Sequence, residues 1–400
     1  MPRLRFPGFE GAWSAEHFDD VATGFEYGLN AAAVDFDGVH KYIRITDIDD
    51  TSHKFIGSPV VSPAGEIDEK YRVRPNDILL ARTGASTGKS YLYDSSDGEL
   101  YFAGFLIRAS VKPEYDARFV FYSTCTPPYR RWVNMISMRS GQPGINADEY
   151  SRYNLNIPTH SEQVQIGTFL ALLDSKITAQ HKLVELLKKH KRGVIEQIFG
   201  RRLDMGEKPE KWNVVELRDL FSKVARRNRG GKVKNVITNS AEFGLIPQRN
   251  FFDKSIAVDG NTDGYYVIRT GDFVYNPRKS TTAPFGPFNR YTGTEDGIIS
   301  PLYTCLVPKG KANPEYLAWY FRSTAWHRYV YDNGSQGARH DRVNMTDDLL
   351  FGIPVLLPPI AVQERIANGL NAIDARWSSA NKVLAHLEKM KRGLLQQLFA

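Results

Sequence analysis

The chain has 400 residues, 42% of them hydrophobic, with 52 Lys and Arg against 45 Asp and Glu, for a net charge of +7. This length predicts two or three domains, and the apolar content is ample for buried cores. The longest apolar run, IPVLLPPIAV, is short and broken by prolines, so no membrane span or membrane partner is expected. The opening MPRLRFPGFEG has no apolar signal core, and the two cysteines have no metal-ligand spacing, which predicts a reducing, cytoplasmic setting.

The first block, residues 1–160, has the mixed pattern of an α/β domain. The stretch YRVRPNDILLARTG at 71–84 is typical of a turn, a short buried strand and then a polar, basic loop. A Tyr- and Trp-rich helical stretch, the loop RSGQPGIN at 139–146 and the apolar strand NLNIP follow. The block has 17 Lys and Arg against 21 Asp and Glu, a net charge of −4, so any DNA contact here must come from local clusters.

A long helix is predicted next, over residues 161–199. Pro158 stands just before it, where a helix can begin but cannot run through. About 38 residues at a rise of 1.5 Å per residue give a length of ~57 Å. Its apolar residues recur every three or four positions on one stripe, which has to be buried against another surface: Ile166, Phe169, Leu170, Leu173, Ile177, Val184, Leu187, Val194 and Ile198.

The second block, residues 200–360, repeats the skeleton of the first with little identity. The stretch YYVIRTGDFVYNPRK at 265–279 corresponds to the first buried strand and its loop, with Asp272 in the place of Asp77. A Tyr- and Trp-rich stretch, the loop GSQGARHDRVN at 334–344 and the strand FGIPVLLP follow in the same order. With 23 Lys and Arg against 17 Asp and Glu, the net charge of +6 is compatible with a nucleic-acid partner.

The long helix then returns at residues 361–399, at an offset of 200 residues and without a gap. Twelve of the 39 aligned positions are identical, which indicates an internal duplication. The nearest partner for either apolar stripe is the other helix, so we predict a two-helix coiled coil, antiparallel if the repeats are related by a pseudo-twofold axis. The alternative is a pair of ordinary core helices in separate domains. The predicted domains are 1–160, 161–200, 201–360 and 361–400.

This cyclic order predicts two pseudo-symmetric α/β blocks at opposite ends of a rigid rod. Such a molecule could contact DNA at two places, one for each block. Because B-DNA rises ~3.4 Å per base pair, a rod of ~57 Å limits the distance between these two half-sites to roughly seventeen base pairs. The blocks overlap the rod ends, so a separation nearer one helical turn, about 34–36 Å, is expected.

Three features together resemble the specificity subunit of a type I restriction–modification system. They are the LRFPGFEGAW opening, the proline-led helices with a nearby Gln (HSEQVQI and PPIAVQERI), and the KRGxxxQxF ending of each helix. The resemblance covers the full length. It implies two target recognition domains that each read one half of a bipartite DNA site, and two helical regions that set the spacer and dock modification subunits. Because the blocks differ, the site should be asymmetric.

The resemblance also implies a non-catalytic chain without a cofactor or metal of its own. Two modification subunits would bring S-adenosylmethionine chemistry on adenine. Restriction subunits would bring ATP- and Mg-dependent translocation and cleavage of double-stranded DNA. The expected role is DNA binding within a bacterial defence complex.

Base edges are read by Arg, Lys, Asn, Gln, Ser or Thr on exposed loops, and phosphates by Arg and Lys. The alternative for any single residue of this kind is a solvated surface charge. The run ARRNRGGKVK at 225–234 carries five cations and could also be a flexible phosphate-binding arm. The candidates in the first block are Arg82, Thr83, Ser86, Thr87, Lys89, Arg130, Arg131, Arg139 and Gln142. Those in the second are Arg226, Arg227, Arg229, Lys232, Lys234, Arg278, Lys279, Ser280, Thr281, Gln336, Arg339, His340 and Arg342.

The basic tips of the two long helices carry a second hypothesis. Lys191, Arg192, Lys391 and Arg392 could bind phosphates or dock a modification subunit. The alternative is a solvated helix face whose charge suits a helix C-terminus. The glycine that follows each tip, at 193 and 393, costs about 1 kcal/mol relative to alanine inside a helix. A close helix crossing or a local kink would explain why both copies keep it.

Three near-motifs resemble parts of a different kind of protein, a self-contained DNA adenine methyltransferase or nuclease, but each of them is incomplete or commonplace. GASTGKS at 84–90 has one residue too few between its glycines for a phosphate-binding P-loop. TPPY at 126–129 resembles the Asn/Asp-Pro-Pro-Tyr motif of adenine methyltransferases, but no cofactor loop accompanies it, and a Pro-Pro turn before a helix is favoured. The charged group EIDEK at 66–70 is commonplace on a loop. A purely structural coiled-coil adaptor is the third alternative.

Overall fold

The computed structural model describes residues 2–138, 142–200, 212–248, 262–334 and 341–399. The chain divides into two compact units: unit 1 comprises Met1–Leu183 with Asn381–Ala400, and unit 2 comprises Val184–Ala380. Each unit therefore combines one α/β block with part of each long helix. The domain boundaries predicted from the sequence stay a prediction.

Unit 1 is built on short strands and helices around one central sheet. Its strands are β1 (Ser14–His17), β2 (Ala22–Tyr27), β3 (Ala33–Asp35), β4 (Lys41–Ile43), β5 (Val61–Pro63), β6 (Asp77–Ala81), β7 (Ser90–Leu92), β8 (Leu100–Phe102), β9 (Leu106–Val111) and β10 (Asn154–Ile157). Its helices are α1 (Phe18–Val21), α2 (Ala117–Ser123), α3 (Pro127–Ile136), α4 (Ala147–Ser151) and the first part of α5 (His160–Phe199). Short 3-10 turns lie at Ile45–Asp47, Glu69–Tyr71, Gly84–Ser86 and Ser95–Asp97. The central sheet is antiparallel in the order β2-β9-β6-β7, and β1–β10, β3–β5 and β4–β8 form separate pairs.

Unit 2 repeats this plan. Its strands are β11 (Asn213–Glu216), β12 (Phe221–Lys223), β13 (Ile237–Ser240), β14 (Gly244–Pro247), β15 (Tyr266–Ile268), β16 (Phe273–Tyr275), β17 (Phe288–Arg290), β18 (Gly297–Ile299), β19 (Thr304–Pro308) and β20 (Pro354–Leu357). Its helices are α6 (Leu217–Leu220), α7 (Pro314–Phe321), α8 (His327–Asn333), α9 (Asp347–Phe351) and the first part of α10 (Ile360–Leu398). The central sheet has the equivalent order β12-β19-β16-β17, with β11–β20, β13–β14 and β15–β18 as pairs. In both units the strand before the last central strand has one parallel and one antiparallel neighbour. β8 pairs with β4 in parallel and bridges Arg72 antiparallel at Tyr101, and β18 pairs with β15 antiparallel and bridges Val236 in parallel at Ile298.

Both long helices contribute to the core of each unit. In unit 1, Leu170 of α5 and Leu398 of α10 are buried with the strands and helices of the first block. The rings of Phe399 and Phe119 lie 5.0 Å apart there. In unit 2, the ring of Phe199 lies 5.6 Å from that of Tyr316. The aromatic residue that ends each repeat therefore closes the core of a block, and this burial explains why the apolar stripe continues to the last turn.

Within each unit the two helix segments run antiparallel. In unit 1, Lys391 pairs with Asp174 at 2.6 Å and His181 with Glu388 at 3.0 Å. In unit 2, Lys191 pairs with Asp374 at 2.8 Å. In unit 1, residue numbers that rise along α5 fall along α10, so the directions are opposed. Because each helix is continuous into unit 2, the same directions hold there. The predicted fold, two pseudo-symmetric α/β blocks with two long antiparallel helices, is confirmed. Within the described ranges, none of the helices is both long and apolar enough to cross a bilayer.

One glutamine fastens each long helix to its block. Gln163 accepts a hydrogen bond from the backbone N–H of Asp116 at 3.1 Å and donates to the carbonyl of Pro158 at 2.9 Å. Gln363 accepts from Asn313 at 2.8 Å and donates to Pro358 at 2.7 Å. Asp116 and Asn313 are the N-caps of α2 and α7. The same amide therefore joins the first turn of a long helix to the start of the helix packed against it.

The close-crossing interpretation of the two tip glycines is wrong. A Cβ placed on Gly193 or Gly393 would meet nothing within 4 Å. Both residues lie inside unbroken helices, so neither glycine makes room for a neighbour within its own unit. Gly167 of the same helix α5 differs, because a Cβ there would lie 2.5 Å from Oδ1 of Asp116 and 3.1 Å from the backbone N of Phe119.

We predict that Gly193→Ala and Gly393→Ala each raise the free energy of unfolding by about 1 kcal/mol, because alanine is the better helix former and has room. The control is Gly167→Ala, which should lower stability because its Cβ meets the start of α2. Denaturant unfolding followed by circular dichroism measures all three. A loss of stability in the two tip variants equal to that of the control would contradict the prediction.

Candidate nucleic-acid interface

Two loops of unit 1 that lie some sixty residues apart in the chain are joined by backbone hydrogen bonds. The N–H of Ile145 donates to the carbonyl of Arg82 at 2.9 Å, and the N–H of Gly84 donates to the carbonyl of Pro143 at 2.9 Å. The loop that leaves β6 therefore lies beside the loop that enters α4. This pairing brings exposed Gln142 close to four other predicted residues, namely Arg82, Thr83, Ser86 and Thr87.

Unit 2 has the same loop pair. The N–H of Val343 donates to the carbonyl of Pro277 at 2.9 Å, and the N–H of Lys279 donates to that of Asp341 at 2.9 Å. The loop that leaves β16 therefore lies beside the loop that enters α9, next to Arg342. The predicted residues on the first of these loops are Arg278, Lys279, Ser280 and Thr281.

The buried strand before each loop explains why the two loops occupy equivalent places. All five residues of β6 are buried, and so are the three of β16. Asp77 and Asp272 anchor the turns before these strands by accepting hydrogen bonds from the backbone N–H of Arg74 at 2.8 Å and Arg269 at 2.7 Å. Burial raises the pKa of both carboxyl groups. Each carboxyl has a further polar partner, so these residues hold the strand and are not free for chemistry.

Arg82 of unit 1 is positioned by an aromatic ring. Its guanidinium lies 4.7 Å from the ring centre of Tyr27, whose hydroxyl accepts from the backbone N–H of Ala147 at 3.2 Å. Tyr27 is 43% exposed and stands beside the candidate loops. Sequence analysis missed this residue because it ends a strand 55 positions before Arg82 and belongs to no local motif.

A carboxylate lies between two candidate arginines of unit 2. Oδ2 of Asp341 is 3.9 Å from Nε of Arg278 and 3.6 Å from Nε of Arg342. The side chain of Arg278 is 64% exposed and that of Arg342 is 24% exposed. Sequence analysis named the basic and polar residues of these loops and missed the acid that lies between the two arginines. The arrangement keeps two guanidinium groups together at the surface.

Helix α3 places two further predicted residues in unit 1. Arg130 and Arg131 are both exposed on this helix. The helix packs on the candidate loop, since a Cβ on Gly88 would lie 2.6 Å from Cγ1 of Val133. The two arginines are thus carried on an element that touches the loop.

Lys89 differs from the other loop residues because its ammonium group is already engaged. Nζ donates to the carbonyl of Ile48 at 2.9 Å and pairs with Asp50 at 2.5 Å, and the side chain is only 10% exposed. These contacts fix the end of the loop to the 3-10 turn region of unit 1. DNA contact by Lys89 stays a prediction, and it would require this pair to open.

The basic run 225–234 is a closed loop. Asn228 is buried, accepts from the N–H of Val233 at 3.0 Å and donates to its carbonyl at 3.0 Å. Arg226 pairs with Asp272, and the guanidinium of Arg227 stacks 3.7 Å from the ring centre of Tyr266. The hypothesis of a flexible arm is therefore not supported. The remaining cations of the run are exposed: Arg229, Lys232 and Lys234.

The helix-tip cations also divide into two kinds. Lys191 and Lys391 form the ion pairs between the helices, and their side chains are 19% and 13% exposed. Arg192 and Arg392 are exposed. Docking or phosphate contact through these tips therefore stays a prediction, best carried by the two arginines. Arg139, Gln336, Arg339 and His340 lie outside the described residues.

The near-motifs have structural roles. Thr126 is the N-cap of α3, with Pro127 and Pro128 in its first turn, and Tyr129 is 1% exposed. A ring buried in this way has no face to offer a flipped base. GASTGKS forms a 3-10 turn and ends on the engaged lysine described above. Across the ranges that the structure describes, no three His, Cys, Asp or Glu side chains are grouped so as to hold a metal ion.

Comparison with known proteins agrees with this architecture. Residues 29–189 match the family model for the type I restriction modification DNA specificity domain. The chain is 24% identical over 418 residues to a putative type I restriction enzyme MjaX specificity subunit of Methanocaldococcus jannaschii, covering 96% of this chain and 92% of that protein. It is 26% identical over 353 residues to the MjaVIII specificity subunit of the same organism, covering 82% and 79%.

The fold also matches a solved structure along its whole length. The S subunit of a type I restriction–modification system from M. genitalium superposes with a TM-score of 0.60 at 12% identity, covering 100% of this chain and 99% of that one. The family match, the relatives and the duplicated fold agree with the resemblance seen in the sequence. The chain is therefore similar along its whole length to specificity subunits of type I restriction–modification systems.

Proposed function

We propose that each unit reads one half of an asymmetric, bipartite DNA site, and that the two helices set the spacer and dock two modification subunits. The modification subunits would methylate adenine with S-adenosylmethionine, and restriction subunits would supply ATP-driven translocation and cleavage. This chain contributes recognition and assembly to that complex.

The observation that carries the proposal is the loop pair found in both units. Equivalent backbone hydrogen bonds join the loop after the buried central strand to the loop before the last short helix. The backbone is therefore kept while the side chains differ. Loops on a rigid scaffold that keep their frame and vary their side chains are suited to specific binding. Two loop pairs with the same backbone hydrogen bonds and different side chains would read two different half-sites.

The side chains suit double-stranded DNA. Arg, Gln, Ser and Thr can donate to or accept from base edges in the major groove, and exposed Arg and Lys attract phosphates. Unit 1 offers mostly polar groups with Arg82, whereas unit 2 offers the Arg278, Lys279 and Arg342 cluster. The second half-site should accordingly depend more strongly on phosphate contacts.

The helices support the ruler role through their pairing. Each unit has one Lys–Asp pair between helices, formed by identical positions of the two repeats. These pairs fix the antiparallel register. Any change in helix length between the two pairs would be passed to the spacing of the half-sites.

The first test is modified-base sequencing of DNA from cells that express this chain with a modification subunit. We expect an asymmetric two-part motif with adenine modified in each half. Exchange of residues 1–159 for the corresponding block of another specificity subunit should change one half only, because the other loop pair is untouched. Modification by this chain alone would support the methyltransferase alternative, and changes in both halves would end the modular proposal.

A second prediction concerns the spacer. Seven residues inserted in α5 between Leu183 and Val184, and seven in α10 between Ala380 and Asn381, leave the contacts within each unit intact. A heptad adds ~10.5 Å and nearly preserves the stripe, so we expect a spacer about three base pairs longer with the same half-sites. The same sequencing measures it. A spacer that stays the same length would refute the ruler.

A third prediction concerns phosphate contact in unit 2. Charge reversal by Arg278→Glu with Lys279→Glu should weaken DNA binding by the assembled complex at least tenfold and flatten the plot of log affinity against log salt by about 2. The matched control is Lys309→Glu with Lys311→Glu. These lysines follow β19, whose end lies opposite the loop because β19 is antiparallel to β16. Equal effects of the two pairs would remove the loop from the DNA face.

A further inference from the structure

Two large apolar side chains are exposed to solvent at equivalent positions in the two units. Phe105 lies in the turn between β8 and β9 and is 60% exposed. Leu302 lies in the turn between β18 and β19 and is also 60% exposed. Neither belongs to the buried core of its unit, so core packing does not account for them.

The strand register shows that the positions correspond. Counting from Asp77 and Asp272, which anchor the central strands, Leu80 is equivalent to Tyr275. Leu80 pairs with Ile107 and Tyr275 pairs with Thr304. Two residues before these partners are Phe105 and Leu302. The correspondence therefore follows from hydrogen-bonded pairs and needs no sequence similarity.

A single exposed apolar residue requires no explanation, since much of any protein surface is apolar. Here the blocks share little identity, yet both place a large apolar residue at the same point of a turn, where Gly, Asn, Asp or Ser are usual. The residues also differ in kind, one aromatic and one aliphatic. A common position with different side chains is what two related but unequal binding sites require.

Both side chains lie beside the candidate loops. The backbone N–H of Arg82 donates to the carbonyl of Phe105 at 3.0 Å, so this turn is joined to the loop after β6. In unit 2, Tyr303 follows Leu302 directly. Since Thr304 pairs with Tyr275, the last residue of β16, the turn that carries Leu302 lies at the end of β16 from which the candidate loop leaves.

We propose that Phe105 and Leu302 are specificity-determining residues that each contact the C5-methyl group of a thymine in the major groove of their own half-site. This inference rests on the proposed function. The thymine methyl is the apolar group that the major groove exposes, and apolar side chains recognise it by contact. Hydrogen-bonding residues on the paired loops read polar base edges, and the adjacent apolar residue adds selection for a T·A pair.

The test replaces thymine by uracil, which removes the methyl group and keeps every hydrogen-bonding atom. The complex with modification subunits is titrated with duplexes that carry the sequenced site and one such replacement at a time. For the native complex we expect an affinity loss of about fourfold, the effect of one buried methyl group, at one thymine in each half-site. Phe105→Ser should abolish the loss only in the half-site assigned to unit 1 by the block exchange. Leu302→Ser should abolish it only in the other.

Val214→Ser is the matched control, because Val214 is 62% exposed on β11, outside the candidate loops. It should leave both uracil effects unchanged. The proposal is overturned if neither half-site has a thymine whose methyl matters, or if the serine variants keep the native response to uracil. If the native complex does not distinguish its site from unrelated DNA, the proposed function itself fails. A normal native site with unaltered uracil responses in the variants overturns only this inference.

Discussion

The antiparallel pairing of helix segments within each unit is the constraint on which the rest of the structure depends. Asp174 pairs with Lys391 in unit 1, and the equivalent Asp374 pairs with Lys191 in unit 2. Asp174 also accepts a hydrogen bond from the hydroxyl of Tyr122 at 2.8 Å, which ties this ion pair to α2. The side chains of Lys391 and Asp174 are only 13% and 17% exposed, so removal of one partner in unit 1 would leave the other poorly solvated. Register is thereby specified more strictly than apolar stripes alone would specify it.

The reciprocity of these pairs follows from the duplication. Each repeat supplies the aspartate for one unit and the lysine for the other, so neither block is complete with its own helix alone. Gln163 and Gln363 are likewise repeated, and they make equivalent hydrogen bonds to different N-cap residues. The residues that position the blocks are identical in the two copies, whereas the residues on the loops are not. Positioning and recognition are thus carried by separate sets of residues.

The sequence predicts the long helices well because their information is local and repeated. A 3–4 spacing of apolar residues, a proline before each start and an ungapped repeat all indicate the same elements. It also identifies the candidate loops, but not that residue 82 meets residue 145, since that contact depends on strand register and on the position of α4. The ion pair of Lys391 with Asp174 cannot be predicted from the sequence for the same reason. A lysine near a helix end has the same local sequence whether it faces water or an aspartate 217 positions away.

Under the proposed function, the two units would contribute unequally to DNA binding. The first block has a net charge of −4 and the second +6, so long-range attraction to DNA would come mainly from the second. Unit 2 also holds its arginines together around Asp341, which offsets part of their charge and favours directed contacts over indiscriminate attraction. Unit 1 must rely on short-range complementarity, for which Arg82 stacked on Tyr27 and an adjacent apolar residue are suited. Under the proposed function, the acidic first block would read its half-site because the basic second block, joined to it by continuous helices, supplies the affinity for the duplex.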